Sequence, residues 1–221
     1  MSNILAISGT PKAKGSASGS MIKHIAKALG EPVTTYQATR LVRSKDPGQE
    51  LADILRAEVI LFVFPLHVDA LPAPLIRVLT LLEKAMRTDM TNPPRVYAVC
   101  QCGFFEAEHN RLALDIVANF CARTGLDWRY GVGVGGGAYA GSQANHPTSG
   151  PTAVVFTALD DLAQAIRTGD TPTDNVFVTP RMPRLLYQLA ANWSWRPMAK
   201  PYNAQRNLRA QPYADVRNAG R

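Results

Sequence analysis

The spacing of apolar residues along the chain alternates between two periods. Short runs of apolar and β-branched residues predict strands, and longer segments with apolar residues three or four positions apart predict amphipathic helices. The run from Val59 to Phe64 is apolar on both faces, which is typical of a central parallel strand. The predicted strands are 4–7, 33–36, 59–64, 96–100 and 128–134, and the predicted helices are 18–29, 49–56, 72–86, 106–123 and 152–167.

Five strands that alternate with five helices predict an α/β fold with a doubly wound parallel sheet, covered by helices on both faces. We expect the strand order 2-1-3-4-5 and one domain over residues 1–169. Thr, Pro and Asp around residues 169–183 indicate a linker or a surface crossing, and Leu185, Leu189 and Trp193 then lie on one face of a further predicted helix. Residues 170–221 are therefore expected to form a basic C-terminal extension with one helix and an irregular arm.

The composition indicates a protein with a substantial core and no stable membrane insertion. The chain has 221 residues, of which 46% are hydrophobic, and its longest apolar run, Val59 to Leu66, is too short to span a bilayer. The N-terminus lacks the pattern of a secretory signal. Cys100, Cys102 and Cys121 lack the spacing of a metal site. We expect a cytoplasmic protein with buried or loop thiols and no bound metal.

Positive charge is concentrated at the C-terminal end. Residues 170–221 hold eight Lys and Arg against three Asp, which accounts for +5 of the chain's net charge of +7. Such an excess suits nucleic acid, a membrane surface, an anionic small ligand or simply a solvated tail. Charge alone leaves these alternatives open.

Five residues with hydroxyl side chains lie between the end of the first predicted strand and the first turn of the first predicted helix: Ser8, Thr10, Ser16, Ser18 and Ser20. Hydroxyl groups, backbone N–H groups and the positive end of a helix dipole together suit one terminal phosphate monoester. If this segment were only a flexible loop that leads into a capped helix, a single hydroxyl residue, Ser18, would be enough. Because there are five, we favour a phosphate site.

Two common nucleotide motifs do not fit this loop. A Walker loop requires a lysine followed directly by Ser or Thr, whereas Lys14 precedes Gly15. Gly9-Thr10-Pro11 also breaks the G-x-G-x-x-G dinucleotide fingerprint. That fingerprint occurs later, from Gly131 to Gly136, but it follows the fifth strand and we regard the match as accidental.

Three further loops follow the third, fourth and fifth strands. Their sequences are FPLHVDALPAPL (64–75), CQCGFFEAEHN (100–110) and GVGGGAYAG (133–141). Because the carboxyl ends of parallel strands meet at one edge, all of these loops are expected beside the phosphate loop. In a sheet with this strand order, ligands bind between strands one and three.

These loops together resemble those of the flavodoxin-like NAD(P)H-dependent FMN reductases, which include the multimeric flavodoxins. The resemblance covers residues 3–168 and implies a flavodoxin-like fold with bound FMN. The iron–sulfur subclass is excluded because no cysteine lies between Gly30 and Val59. His67 stands where many members carry Tyr or Trp. By the resemblance, the phosphate would be held by Ser8, Thr10, Ser16 and Ser18, and the isoalloxazine ring by Pro65, Leu66, His67, Val68, Asp69, Cys102, Gly103 and Phe104.

The implied activity is that of an FMN-dependent NAD(P)H oxidoreductase. A reduced nicotinamide would give hydride to flavin N5, and a quinone or another small acceptor would then take the electrons. His67 is the candidate contact of the acceptor, and no catalytic residue is assigned. A flavodoxin-type electron carrier is the alternative, although carriers of that type are usually acidic. The resemblance also implies a homodimer or higher homo-oligomer.

A third interpretation comes from a different class of protein, an α/β binding module without a cofactor. Its C-terminal segment, with aromatic and basic residues from Arg181 to Arg196, would contact nucleic acid or anionic lipid. Packing of this segment on the core or on another subunit is the simpler explanation. We therefore expect no nucleic-acid partner.

Overall fold

The computed structural model describes residues 3–12, 15–86, 92–145, 148–169 and 172–210. Within these residues, parallel strands form a six-stranded sheet in the order β2-β1-β3-β4-β5-β6. The strands are β1 (Ile4–Ser8), β2 (Thr34–Gln37), β3 (Val59–Pro65), β4 (Arg95–Gln101), β5 (Asp127–Val134) and β6 (Val176–Val178). The helices are α1 (Ala17–Leu29), α2 (Ala38–Arg43), α3 (Gly48–Leu55), α4 (Ala73–Ala85), α5 (Arg111–Thr124), α6 (Gly137–Ser142), α7 (Ala153–Thr168) and α8 (Arg184–Ala199).

Helices cover both faces of the sheet, and alternation along each strand decides which helices a residue meets. In β1, Ile4 and Ala6 belong to an apolar cluster with α1 and α7. Leu5 and Ile7 point to the other face and pack in a second cluster with α2, α3, α4 and α5. The central strand β3 is fully buried from Val59 to Phe64. The predicted doubly wound parallel sheet is thus confirmed.

The sheet has one strand more than the sequence predicts. β6 pairs in parallel with β5, where Val132 lies opposite Val176 and Val134 opposite Val178. The side-chain oxygen of Asn175, just before β6, accepts a hydrogen bond from the Gly131 N–H at 2.8 Å. Three residues are too few to show a strand period, so the predicted five-stranded sheet is wrong by this edge strand.

The first compact unit extends beyond the expected boundary at residue 169 because it includes β6. It ends at Arg181, whose backbone N–H donates to the Pro151 carbonyl oxygen at 2.8 Å. The second unit begins at Met182 and contains α8, followed by two short 3-10 turns at Lys200–Tyr202 and Gln205–Asn207.

Short helices account for the other differences from the predicted elements. α2 and α6 have six residues each, which is too short for an amphipathic period to appear in the sequence. The predicted helix 106–123 is divided into a 3-10 turn at Ala107–Asn110 and α5. None of the helices in the described part of the chain combines the length and the apolar composition that a bilayer span requires.

Candidate functional site

A cleft of about 510 Å³ opens at the carboxyl edge of the sheet, beside the ends of β1, β3 and β4. In a sheet of this order the chain reverses its direction of winding between β1 and β3, and ligands bind outside the strand ends at such a switch point. The lining residues are Thr10, Pro11, Lys12, Gly15, Ser16, Ala17, Ser20, Pro65, His67, Gln101, Ala138, Gly141 and Ser142.

The first turn of α1 borders one end of this cleft. Ser16 caps the helix: its Oγ accepts a hydrogen bond from the Gly19 N–H, and its carbonyl oxygen accepts one from the Ser20 N–H, both at 3.0 Å. The N–H groups of Ala17 and Ser18 have no acceptor among the described residues. Because a helix N-terminus also carries a positive partial charge, this end of the cleft suits an anion.

Hydroxyl groups and one cation also line this end of the cleft, which we call the α1 end. Thr10, Ser16 and Ser20 line it, and the Thr10 Oγ1 also accepts a hydrogen bond from the Lys12 N–H at 3.3 Å. Among the described lining residues, Lys12 supplies the one Lys or Arg side chain, and there is no Asp or Glu. No carboxylate of the lining therefore opposes a negatively charged ligand.

A tight hairpin follows β3 at the rim of the cleft. The His67 N–H donates to the Ala70 carbonyl oxygen at 2.9 Å, and the Ala70 N–H donates to the His67 carbonyl oxygen at 3.1 Å. The two central residues, Val68 and Asp69, have φ angles of 51° and 57°, the signature of a type I′ turn. The left-handed region is unfavourable for a β-branched residue, so Val68 is strained, and its side chain is 98% exposed.

Gln101 joins three parts of the cleft. Its backbone carbonyl oxygen accepts a hydrogen bond from the Leu66 N–H at 2.8 Å, which holds the end of β4 beside the segment after β3. Its side chain lies directly against Gly137, where a Cβ atom would collide with the Gln101 amide. Glycine at 137 therefore lets α6 approach the strand ends.

The buried side chain of Asn110 forms hydrogen bonds with three residues around the loop after β4. Its side-chain amide donates to the Ala107 carbonyl oxygen at 2.8 Å, to the Val134 carbonyl oxygen at 3.2 Å and to the Cys102 Sγ at 3.4 Å. Cys102 is buried, and burial raises the pKa of its thiol. The raised pKa keeps this thiol protonated at neutral pH.

Four of the predicted site residues line the cleft: Thr10, Ser16, Pro65 and His67. Ser8 and Ser18 are buried instead, and their hydroxyl oxygens have no hydrogen-bond partner among the described residues. Leu66 packs against the core. The other five belong to the adjoining loops but not to the lining: Val68, Asp69, Cys102, Gly103 and Phe104. Roles of all twelve toward a ligand remain predictions.

Several residues that line the cleft were not predicted from the sequence. Lys12 lacks the spacing of a phosphate motif, and Gln101 follows a buried strand without a recognisable pattern. Ala138, Gly141 and Ser142 lie in α6. The glycine-rich run from 133 to 141 is the one sequence feature that indicates a close contact here, since glycine often marks a place where two backbone segments approach each other. The run does not indicate which other segment it approaches. The described residues hold no group of His, Cys, Asp or Glu suited to a metal ion.

The sequence matches no family model and no curated protein. Solved structures are similar in fold. One is the NAD(P)H:quinone oxidoreductase from Methanothermobacter marburgensis, with a TM-score of 0.57 at 13% identity over 75% of this chain and 97% of that chain. The chain has the flavodoxin-like fold.

Two other solved structures of this fold bear names that concern FMN. An NADH:FMN oxidoreductase in its apo form has a TM-score of 0.55 at 14% identity, over 75% of this chain and 90% of that chain. General stress protein 14 from Treponema denticola, in complex with FMN, has a TM-score of 0.53 at 13% identity, over 73% of this chain and 99% of that chain. At such identities the similarity concerns the fold alone.

Proposed function

We propose that this protein binds FMN in the cleft at the carboxyl edge of the sheet and is an NAD(P)H-dependent oxidoreductase that reduces a quinone or another small acceptor. The observation that carries the proposal is the position of the α1 end of the cleft. It lies at the switch point between β1 and β3, directly at the N-terminus of α1. Flavodoxin itself binds FMN at this switch point of its sheet, so the choice of ligand rests on that known geometry.

The residues at the α1 end fit the phosphate of FMN. The free N–H groups of Ala17 and Ser18 would donate to its oxygens, and the hydroxyls of Thr10 and Ser20 would add further donors. Lys12 would offset part of the charge. The hydroxyl of Ser16 already accepts from Gly19, yet its proton remains available to a phosphate oxygen.

The other end of the cleft fits a flat heterocycle. Pro65 and Ala138 supply apolar surface, and the Gln101 side chain supplies an amide with both a donor and an acceptor for a polar ring edge. Bound FMN would supply the hydride and electron transfer. The protein would position the ring, keep water from part of it and leave the rim beside His67 open to a second molecule.

His67 is proposed as a contact of the electron acceptor. It lines the cleft and is exposed, and both its backbone N–H and its carbonyl oxygen are hydrogen-bonded to Ala70. An imidazole can donate or accept a hydrogen bond, which suits a carbonyl oxygen of a quinone. The names of solved structures with this fold, a quinone oxidoreductase and an NADH:FMN oxidoreductase, support this choice of reaction.

The decisive experiment begins with the visible spectrum of the purified protein after incubation with FMN and gel filtration. We expect retained flavin, a quenched or shifted flavin fluorescence, and rapid oxidation of NADH or NADPH when a soluble quinone is supplied. Retained flavin that nicotinamides do not reduce would favour an electron carrier. Failure to retain FMN would overturn the cofactor assignment itself.

Assembly and location form a separate part of the proposal. We propose a homodimer or higher homo-oligomer in the cytoplasm, with residues beyond the first compact unit forming the basic extension. Light scattering of the purified protein measures the first property, and fractionation of cells that express the full chain measures the second.

A further inference from the structure

Helix α8 exposes an unusual amount of apolar surface. Leu185, Leu186, Leu189 and Trp193 are between 53% and 71% exposed, and no residue of α8 is buried. Their spacing places all four on one side of the helix, which we call the α8 apolar face. Large contiguous apolar patches are rare on the free surface of a soluble protein and mark a surface that meets something else.

A groove within the second unit adjoins the C-terminal half of α8. It is bordered by Asn192, Trp195 and Arg196 together with Leu208 and Arg209, residues that follow the helix. Trp193 and Trp195 therefore have different surroundings although both are exposed. None of the four residues of the α8 apolar face lines this groove, and Arg196 lies on the same side of the helix as that face, near its C-terminal end.

The charges around the apolar face have a single sign. Among the described residues from 182 to 210 there are five basic side chains and no Asp or Glu. The basic residues are Arg184, Arg196, Lys200, Arg206 and Arg209. Over the whole segment 182–221 the sequence has seven Lys and Arg against one Asp. A surface that covers the apolar face must therefore also tolerate a strong positive charge.

A second copy of this chain complements that surface poorly. Residues 1–181 hold seventeen Lys and Arg against sixteen Asp and Glu, so they offer no net negative charge to α8. Symmetric pairing of two α8 helices would bring two basic segments together, which is electrostatically unfavourable. Nucleic acid would match the charge, but it provides no apolar layer for three leucines and a tryptophan.

We propose that α8 lies in the plane of an anionic lipid bilayer. The α8 apolar face would enter the boundary between headgroups and acyl chains, with the indole of Trp193 at the headgroup level. Arg196, Lys200 and the basic residues beyond them would contact lipid phosphates. This peripheral attachment requires no spanning helix, and it does not depend on the proposed oxidoreductase function.

Sedimentation of the full-length protein with extruded vesicles tests this proposal. The probes are vesicles of phosphatidylcholine alone and vesicles of equal parts phosphatidylcholine and phosphatidylglycerol. We expect at least about tenfold stronger partitioning into the anionic vesicles, a blue shift of tryptophan fluorescence on binding, and loss of most binding at high salt.

Two variants divide the contributions of charge and apolar surface. Arg196→Glu with Lys200→Glu should weaken anionic-vesicle binding by about tenfold or more. Leu189→Ala with Trp193→Ala should weaken it comparably and remove most of the fluorescence shift. The matched control, Lys45→Glu with Arg77→Glu, makes the same charge change at exposed positions of the first unit and should bind nearly as the wild type. Thermal unfolding measured in parallel checks that every variant folds.

Four results would overturn the proposal. They are absent vesicle binding, equal binding to neutral and anionic vesicles, a control variant as impaired as the α8 charge variant, and an apolar-face variant that binds vesicles normally. If the Leu189 and Trp193 variant loses its oligomeric state but keeps vesicle binding, the face belongs to a second copy. If a mobility-shift assay shows that the protein binds DNA and sedimentation detects no binding to vesicles, the partner is nucleic acid.

Discussion

Gly141 of α6 and Ala17, the first residue of α1, lie in contact at the rim of the cleft. A Cβ atom built on Gly141 would approach the Ala17 Cβ to 2.6 Å, closer than any real contact between side chains allows. Both residues line the cleft. The width of the α1 end of the cleft therefore depends on the absence of a side chain at position 141.

Gly141→Ala should consequently push α6 away from the first turn of α1. We expect FMN binding to weaken by about tenfold and the free energy of unfolding of the cofactor-free protein to fall by about 1–2 kcal/mol, as is usual when a tight contact is overfilled. Fluorescence titration with FMN and denaturant unfolding measure the two effects. Gln143→Ala, close in sequence but outside the lining, is the matched control and should leave both values nearly unchanged. Wild-type FMN affinity in Gly141→Ala would mean that this contact does not shape the ligand site.

The hydroxyls of the first loop should differ according to their position. Thr10→Val and Ser20→Ala each remove a donor from the lining, and each should weaken FMN binding by about tenfold or more because a hydrogen bond to a charged group is lost. Ser8→Ala and Ser18→Ala remove buried hydroxyls that have no partner among the described residues. These two variants should bind FMN within about twofold of the wild type and be as stable or more stable, by up to about 1 kcal/mol. The opposite ranking, with Ser8→Ala and Ser18→Ala the weaker binders, would show that the ligand-bound loop recruits the buried hydroxyls.

The strained turn after β3 should be open to improvement. Val68→Asn combined with Asp69→Gly introduces the dipeptide that a type I′ turn prefers, at two positions where φ is already positive. Because the Val68 side chain is almost fully exposed, its removal costs little burial. We expect the free energy of unfolding to rise by about 1–2 kcal/mol and Tm by about 2–6 °C. Val68→Ala keeps a Cβ atom in the left-handed region and should give no comparable gain. A double variant no more stable than Val68→Ala would contradict the strain assigned to this turn.

Buried thiols should make the fold sensitive to alkaline pH. Burial raises the pKa of Cys121 from 9.0 to about 12. The folded state therefore holds the thiol proton more tightly than the unfolded state, and the stability linked to it is complete below pH 9 and is lost as pH rises from 9 toward 12. Cys121→Ala should lower stability at pH 7, because a buried sulfur is removed, but it should flatten the decline of stability between about pH 9 and 11.

Denaturant unfolding at several pH values measures this difference in slope. The control is Ser142→Ala, which removes an exposed polar atom and leaves the buried thiols in place. An equally steep decline in Cys121→Ala and in the wild type would show that other groups, such as the buried Tyr130, whose pKa is also raised by burial, dominate the alkaline response.

Periodicity was sufficient to predict the five longer strands and most of the longer helices. Val59 to Phe64 is apolar on both faces because it is covered from both sides, and α1 carries Met21, Ile22, Ile25 and Leu29 at helical spacing because one side meets the sheet. Such patterns arise because buried positions are apolar. A long helix or strand contains enough buried positions for its periodicity to be visible in the sequence. The hydroxyl-rich loop before α1 stands out in the sequence for a related reason, since capping by a hydroxyl is a local property of a helix start; the role of this loop toward a phosphate stays a prediction.

Composition and local pattern did not predict β6, α2, α6 or the walls of the cleft. β6 exists because β5 offers unpaired backbone groups at its edge, and its three residues carry no period of their own. Gln101 meets Gly137, and Ala17 meets Gly141, across distances in sequence that no local pattern spans. Which hydroxyls line the cleft and which are buried behind it follows from how the loop packs against the sheet, because exposure is a property of the folded chain.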